Sequence, residues 1–239
     1  MLLRQLREEV LAANLELVRL GMATGTFGNV SAISRSDGLV AIKPSGVPYA
    51  ALTAAQIVMT DLEGRPVETN LRPSSDLPTH LELYRAFGNI GGIAHAHSRC
   101  GTAWAQARRP IPCFGTTHAD YFNGTIPVTG ELTAHEIAGE YEKATGQLIC
   151  RTFAGIDPDE IPAVLVAGHA PFCWGKDAAD AVRNAAMLEF VAALAIDTLT
   201  VNPQAAELAP ELRAKHFYRK HGAGAYYGQP DLAEQRRAP

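Results

Sequence analysis

The segment Ile161 to Ala167 is the strongest candidate in this chain for a strand buried on both faces, because its residues are apolar without interruption. A second apolar run, Ile90 to His97, predicts another buried strand. Strands of this kind must be covered on both sides by other elements, and helices are the usual cover. The two runs therefore favour a layered α/β fold.

Helical spacing and capping signals place helices between the predicted strands. A Thr133/Glu136 capping box predicts a helix to about Ala144, and Asp177 caps a long helix to about Leu199. No Pro/Gly/Ser linker divides the 239 residues, so we expect one α/β domain with a mixed sheet flanked by helices. The remaining predicted helices are Leu3 to Leu20, Ser75 or Asp76 to Phe87, Ser98 to Ala107 and Glu207 to Lys220; the remaining strands are Val30 to Ile33, Leu39 to Ile42 and Ile57 to Thr60.

Composition excludes several classes of protein. Hydrophobic residues make up 47% and charged residues 19%, which suits a globular core. The net charge is −4 without a block of like charges, so neither a nucleic-acid nor an anionic-membrane partner is expected. The most apolar helix has too short an uncharged stretch for a membrane span, and charges near the N-terminus oppose a signal peptide. A cytoplasmic location, with the four cysteines reduced, is the expectation.

Histidines mark a candidate metal site. His95 and His97 are two residues apart in the apolar strand, so they project from the same face. His169 follows the other strong strand. Three imidazoles with an open position are typical of a catalytic Zn²⁺ site. The alternative is that these are ordinary core or surface histidines.

Three short loops have the composition of a phosphate-binding site. They are rich in glycine, serine and amide groups, and one of them supplies the cation Lys43. Each loop alone is also typical of an ordinary turn. Asp76 is open to two interpretations, a helix cap or a carboxylate close to the metal. The loops are Phe27 to Ser31, Lys43 to Gly46 and Pro73 to Asp76.

Two further segments are rich in groups that transfer protons. Asp120, within Gly115 to Tyr121, is a candidate general acid or base, with a capping carboxylate in a loop as the alternative. The segment Lys215 to Gly228 is dense in histidine, lysine and tyrosine, although a frayed tail is the simpler interpretation of that segment alone.

These motifs follow one order along the chain: Gly28 to Ser31, Lys43 to Gly46, Ser74 to Asp76, His95 to His97, Gly115 to Tyr121 and Lys220 to Gln229. Joined in this order, they closely resemble the class II aldolase and adducin-head family. The resemblance implies a single-domain, three-layer α/β/α sandwich around a largely antiparallel mixed sheet. It also implies a domain over residues 1–229 that includes a catalytic tail, a short extension at 230–239, and a homotetramer with active sites between subunits.

The resemblance carries expectations for individual residues. It implies Zn²⁺, with Mn²⁺ or Co²⁺ as substitutes, held by His95, His97 and His169 with Asp76 beside the metal. Asp120 and Tyr227 match the family's acid/base pair, and Asp76 is a further proton carrier. A sugar phosphate would be held by Gly28, Asn29, Lys43, Ser45, Gly46, Ser74, Ser75 and His216.

The activity implied is epimerisation at C4 of L-ribulose 5-phosphate. The main alternative is a sugar-phosphate aldolase that releases the cleaved fragments. A non-enzymatic module like the adducin head is a third possibility, but such modules lose the metal histidines, and this chain has all three.

Overall fold

The computed structural model describes residues 1–68, 70–222 and 224–228. Seven strands form one sheet in the order β4-β3-β2-β1-β5-β7-β6. All six pairs of neighbouring strands in this sheet are antiparallel. The strands are β1 (Asn29–Ser34), β2 (Leu39–Ile42), β3 (Val58–Asp61), β4 (Pro66–Val67), β5 (Gly92–His95), β6 (Ala163–Leu165) and β7 (Pro171–Gly175).

Helices cover both faces of the sheet, which confirms the expected α/β/α layers. The first, third and seventh helices pack on one face, and the second and sixth pack on the other. The eight helices of the described chain are α1 (Arg4–Arg19), α2 (Leu77–Ala86), α3 (Arg99–Ala107), α4 (Thr116–Ala119), α5 (Ala134–Ala138), α6 (Tyr141–Thr152), α7 (Ala178–Val201) and α8 (Pro210–Tyr218).

Alternation along each strand divides the core into two layers. In β5, Ile93 faces α2 and α6, whereas Ala94 faces α1, α3 and α7. In β7, Phe172 and Trp174 lie on the α2 side and Cys173 lies on the other. Successive side chains of a strand point to opposite faces, so continuous apolar runs supply both layers at once.

The long helix α7 is a core helix. By length and composition alone it is apolar enough to cross a membrane. The carboxylate of Asp177 caps its start by accepting the amide of Asp180 at 2.7 Å. Ala181, Leu188 and Ala192 are fully buried against the sheet and the neighbouring helices.

The structure differs from the sequence-based prediction at several elements. The Thr133 capping box forms, but its helix ends at Ala138 because Gly139 leaves helical dihedral angles, and a new helix begins at Tyr141. The strand predicted from Ile161 to Ala167 is limited to β6, and β7, which lies between β5 and β6, was not predicted. The predicted extension at 230–239 and the domain boundary at 229 lie outside the described residues.

A histidine triad and a cation-bearing cleft

Three histidines meet where β5, β6 and β7 adjoin. His95 ends β5, His97 follows it, and His169 lies in the turn between β6 and β7. Because β5 pairs with β7, this turn is brought to the end of β5. One ring nitrogen of each histidine lies within 4.8 Å of the other two. The three histidines that the sequence analysis grouped as a candidate metal site therefore lie together in the structure.

The surroundings of two of these rings suit metal ligation. The Nδ1–H of His95 donates to the carbonyl of Pro171 at 2.9 Å, which leaves Nε2 as the ring nitrogen available to a metal ion. Its ring also stacks on Phe172 at 4.0 Å. Nδ1 of His169 is buried and has no hydrogen-bond partner among the described residues. A fixed tautomer and an unsatisfied ring nitrogen are features that a bound metal ion accounts for.

The protonation of the triad also fits a cation. Burial lowers the pKa of His97, and burial together with the neighbouring His95 and His97 lowers the pKa of His169 to about 4. Both rings are therefore neutral at physiological pH, as imidazole ligands must be. The donor set suits a divalent metal such as Zn²⁺.

Asp76 stands beside the triad and makes no side-chain helix cap. Its Oδ2 accepts the Asn29 amide at 2.6 Å. Burial raises the pKa of Asp76, but the nearby His95 and His80 rings and the Asn29 hydrogen bond outweigh burial and hold that pKa below its ordinary value. The carboxylate is therefore ionised at neutral pH, and the capping interpretation is wrong.

The triad lines one end of a cleft of about 410 Å³. Two of the predicted phosphate loops are joined along its wall by backbone hydrogen bonds. The amide N–H of Ser45 donates to the backbone carbonyl of Arg72 at 3.0 Å, and the amide N–H of Ser74 donates to the backbone carbonyl of Lys43 at 2.9 Å. The cleft is lined by Thr26, Phe27, Gly28, Asn29, Lys43, Pro44, Ser45, Gly46, Ser74, Ser75, Asp76, His95, His97 and His169.

Lys43 is a buried cation in this cleft. Lys43 is only 2% exposed, and its ammonium lies 4.7 Å from the centre of the Tyr49 ring. The one hydrogen bond of the ammonium is a long one, 3.4 Å to the carbonyl of Pro44, and no described residue forms an ion pair with it. Burial lowers the pKa of Lys43. Burying an unpaired charge costs several kcal/mol, which an anionic ligand would offset.

Gly28 allows the first loop to approach the triad. Its φ is +82°, and a Cβ atom there would lie 3.0 Å from the carbonyl oxygen of His95. The Tyr49 hydroxyl donates to the Gly28 carbonyl at 2.8 Å, which ties this loop to the segment after Lys43. A larger residue at position 28 would therefore be strained and crowded.

A second group of residues lies around Asp120 and does not line this cleft. The Asp120 carboxylate accepts hydrogen bonds from His216 at 3.0 Å and from Arg219 at 2.9 Å, and pairs with Lys220 at 3.1 Å. The Tyr227 ring lies over the Lys220 ammonium at 4.4 Å. We call Asp120, His216, Arg219, Lys220 and Tyr227 the tail cluster. His216, predicted to help hold the substrate, lies beside Asp120.

Fold and site together define an α/β/α protein with a candidate metal centre next to a candidate anion site at one end of its sheet. The family described as Class II Aldolase and Adducin N-terminal domain matches residues 8–196, and the chain belongs to this family.

Solved structures of similar fold include several sugar-phosphate aldolases. An L-fuculose 1-phosphate aldolase has a TM-score of 0.76 at 23% identity, over 90% of this chain and 95% of that one. YgbL of Klebsiella pneumoniae, described as a putative aldolase/epimerase/decarboxylase, has a TM-score of 0.70 at 28% identity, over 88% and 97%. The L-fuculose-1-phosphate aldolase of Thermus thermophilus has a TM-score of 0.64 at 22% identity, over 85% and 99%.

Sequence reasoning missed several residues at the site. Thr26 lines the cleft, and Arg219 is the main partner of Asp120. His80, fully buried behind Asp76, also escaped notice. Its position four residues after Asp76, on the same helix face, was the available signal.

Proposed function

We propose that this protein is a divalent-metal-dependent enzyme that interconverts L-ribulose 5-phosphate and D-xylulose 5-phosphate. C4 is not adjacent to the C2 carbonyl, so simple deprotonation does not invert it. The sequence has no Gly-x-Gly-x-x-Gly after a strand, the usual mark of a nicotinamide site, so oxidation is not the favoured route. Cleavage of C3–C4, rotation of the aldehyde and re-formation of the bond account for the inversion.

The observation that carries the proposal is the buried, unpaired Lys43 in the same cleft as the histidine triad. A sugar phosphate has an anion at one end and adjacent oxygens at the other, so it matches both halves of the cleft. The Lys43 ammonium would bind the phosphate together with Asn29, Ser45, Gly46, Ser74 and Ser75, which lie along the same wall.

His95, His97 and His169 would hold the metal, with Asp76 beside them as a ligand or proton carrier. Bound there, a Zn²⁺, Mn²⁺ or Co²⁺ ion would supply Lewis-acid stabilisation of the negative charge that develops on the ketose oxygens. The hydrogen bond from Asn29 holds the Asp76 carboxylate at the cleft wall that it shares with the triad.

Asp120 and Tyr227 would manage the C4 hydroxyl proton, one on each face of the sugar. Burial raises the pKa of Asp120, but hydrogen bonds from Arg219, His216 and Lys220 outweigh burial and lower it. The Lys220 ammonium, 3.1 Å from Asp120 and 4.4 Å from the Tyr227 ring, is shared by the two groups. Neither group lines the triad cleft of its own chain, so we propose that the tail cluster serves the metal site of a neighbouring subunit in a cytoplasmic homotetramer.

The alternative is an aldolase that releases its fragments, and the similarity in fold to L-fuculose 1-phosphate aldolase favours it. Aldolases of that group typically carry Glu where this chain has Asp76, and they lack the Tyr226-Tyr227-Gly228 tail. These two differences favour the epimerase.

The deciding experiment incubates metal-replete protein with L-ribulose 5-phosphate and measures both D-xylulose 5-phosphate and free glycolaldehyde phosphate. An epimerase gives the first product with little of the second. Accumulation of glycolaldehyde phosphate with dihydroxyacetone, or rapid release of dihydroxyacetone phosphate from L-fuculose 1-phosphate, would favour the aldolase. A Lys43→Met variant is the matched control, because it keeps the length of the side chain, removes the charge and should raise KM.

A further inference from the structure

Tyr49 is a buried tyrosine that the proposed reaction leaves without a role. It begins a single turn of 3₁₀ helix, Tyr49–Ala51, and is 6% exposed. It is not among the residues that line the cleft. Its side chain nevertheless makes two contacts with residues that do, one through the ring and one through the hydroxyl.

The ring contacts the cation of the cleft. The Lys43 ammonium lies 4.7 Å from the centre of the Tyr49 ring. Burial disfavours a charged amine, whereas the face of an aromatic ring stabilises one. An ammonium has three N–H donors, and the carbonyl of Pro44, at 3.4 Å, is its one hydrogen-bond acceptor among the described residues. The ring thus stabilises the charge of Lys43 without supplying an oxygen acceptor, and N–H groups remain for an anion.

The hydroxyl contacts the loop that approaches the triad. Burial raises the pKa of Tyr49, so the hydroxyl keeps its proton and is a donor. Its oxygen lies 2.8 Å from the carbonyl of Gly28 and 3.1 Å from that of Phe27. The same loop reaches the metal end of the cleft, because the centres of the Phe27 and His97 rings are 6.2 Å apart. Tyr49 therefore joins the cation at one end of the cleft to the loop at the other.

We propose that Tyr49 is a positioning residue: its ring presents the Lys43 ammonium to the phosphate of the substrate, and its hydroxyl holds the Phe27–Gly28 backbone beside the triad. A lysine that is ordered before the ligand arrives avoids the entropy cost of ordering it on binding, which corresponds to about two- to tenfold in affinity. The inference rests on the anion site of the proposed function but not on the reaction.

The two contacts can be removed separately. Tyr49→Phe removes the hydroxyl and keeps the ring, whereas Tyr49→Leu removes both. Leu52→Ala is the matched control, because it shortens a buried side chain three residues further along the same segment and should only lower stability. Lys43→Met supplies a background without the cation.

The first readout is the affinity of the metal-replete protein for inorganic phosphate, measured by isothermal titration calorimetry. We expect Tyr49→Leu to bind phosphate about three- to tenfold more weakly, and Tyr49→Phe and Leu52→Ala to bind it as wild type does. In the Lys43→Met background, Tyr49→Leu should cause no further loss, because the ring acts through the ammonium.

The second readout is amide hydrogen exchange of residues 24–28. Both Tyr49 variants should exchange faster there than Leu52→Ala, because both lack the hydroxyl that holds the loop. If Tyr49→Leu does not fold, Tyr49→Met takes its place, because its flexible side chain fills more of the volume.

Equal phosphate affinity in wild type and Tyr49→Leu would overturn the inference, as would an equal loss from Tyr49→Leu with and without Lys43. Loop exchange in Tyr49→Phe no faster than in Leu52→Ala would overturn the role of the hydroxyl. A wild type that binds no phosphate would overturn both the anion site and this inference. Neither readout involves turnover, so failure of the proposed reaction with these effects intact would leave the inference standing.

Discussion

The guanidinium of Arg219 donates to both carboxylate oxygens of Asp120, each at 2.9 Å, although 99 residues separate the two in the chain. Asp120 ends the short helix α4, and Arg219 follows the last helix, α8. The ion pair therefore links the C-terminal tail to the body of the fold. An arginine that engages both oxygens of a carboxylate is among the stronger charged contacts in proteins.

Removing this link should loosen the tail. In Asp120→Asn, Arg219 and Lys220 lose their anionic partner, so we expect trypsin to cleave after them on the order of tenfold faster, the equivalent of about 1.4 kcal/mol of local stability. Limited proteolysis followed by mass spectrometry measures this. Glu211→Gln on α8 is the control, since it also removes one carboxylate and should leave the cleavage rate unchanged. Equal rates in all three proteins would show that the pair does not hold the tail.

Metal removal should abolish turnover. The three histidines are the groups that could hold a strong electrophile, because their ring nitrogens lie within 4.8 Å of one another. Chelation should eliminate activity, and Zn²⁺, Mn²⁺ or Co²⁺ should restore it. His97→Asn should bind less than one metal ion per chain by elemental analysis, whereas His135→Asn, at an exposed position on α5, should bind as wild type does. Full activity in metal-free protein would refute this expectation.

Subunit mixing tests whether the tail cluster acts between chains. His97→Asn has a defective metal site and an intact tail, while Tyr227→Phe has the reverse, so each alone should be nearly inactive. After co-refolding in equal amounts, a functional interface needs the metal site of one type and the tail of the other. Random assembly of a ring should restore roughly a quarter of wild-type activity. A mixture no more active than its parents would mean that each site is built within one chain.

Gly28→Ala should reveal how closely the first loop approaches the triad. The new Cβ would lie 3.0 Å from the His95 carbonyl at a φ of +82°. We expect a loss of about 1–3 kcal/mol in unfolding free energy and weaker metal retention. Gly38→Ala is the matched control, because its φ is +67° but nothing lies within 4 Å of the added atom. Denaturant unfolding of both proteins without metal should show the larger loss in Gly28→Ala.

His118 should make stability depend on pH. Burial lowers the pKa of this histidine to about 4, and its Nε2 hydrogen-bonds the carbonyl of Gly124 at 2.7 Å. The unfolded chain, with an ordinary pKa near 6.5, takes up the proton first, so this contribution is complete above pH ~6.5 and is lost as the pH falls toward 4. Between pH 7 and pH 5 we expect wild type to lose about 2 kcal/mol more than His118→Gln in urea unfolding. Parallel losses in the two proteins would contradict the assignment.

Much of the local structure follows from short-range pattern. Helix α1, the caps at Thr133 and Asp177 and the strands β1 to β3 all depend on residues within a few positions of one another. The grouping of His95 with His97 is also local, because only Ala96 separates them, although β5 ends at His95 and not at His97 as the strand pattern predicted. Each of these features can be predicted without knowledge of the rest of the chain.

Other features arise only when distant segments meet. The sequence around Asp76 is equally compatible with a helix cap, and contact with Asn29 decides against that role. The sequence of β7 does not alternate between apolar and polar residues. The strand nevertheless lies between β5 and β6 and brings His169 to His95. The pairing of Asp120 with Arg219 and the contact of His80 with Ser31 are likewise consequences of packing. Periodicity describes which face a side chain occupies, whereas hydrogen-bond partners, burial and the resulting pKa shifts depend on what the fold places against that face.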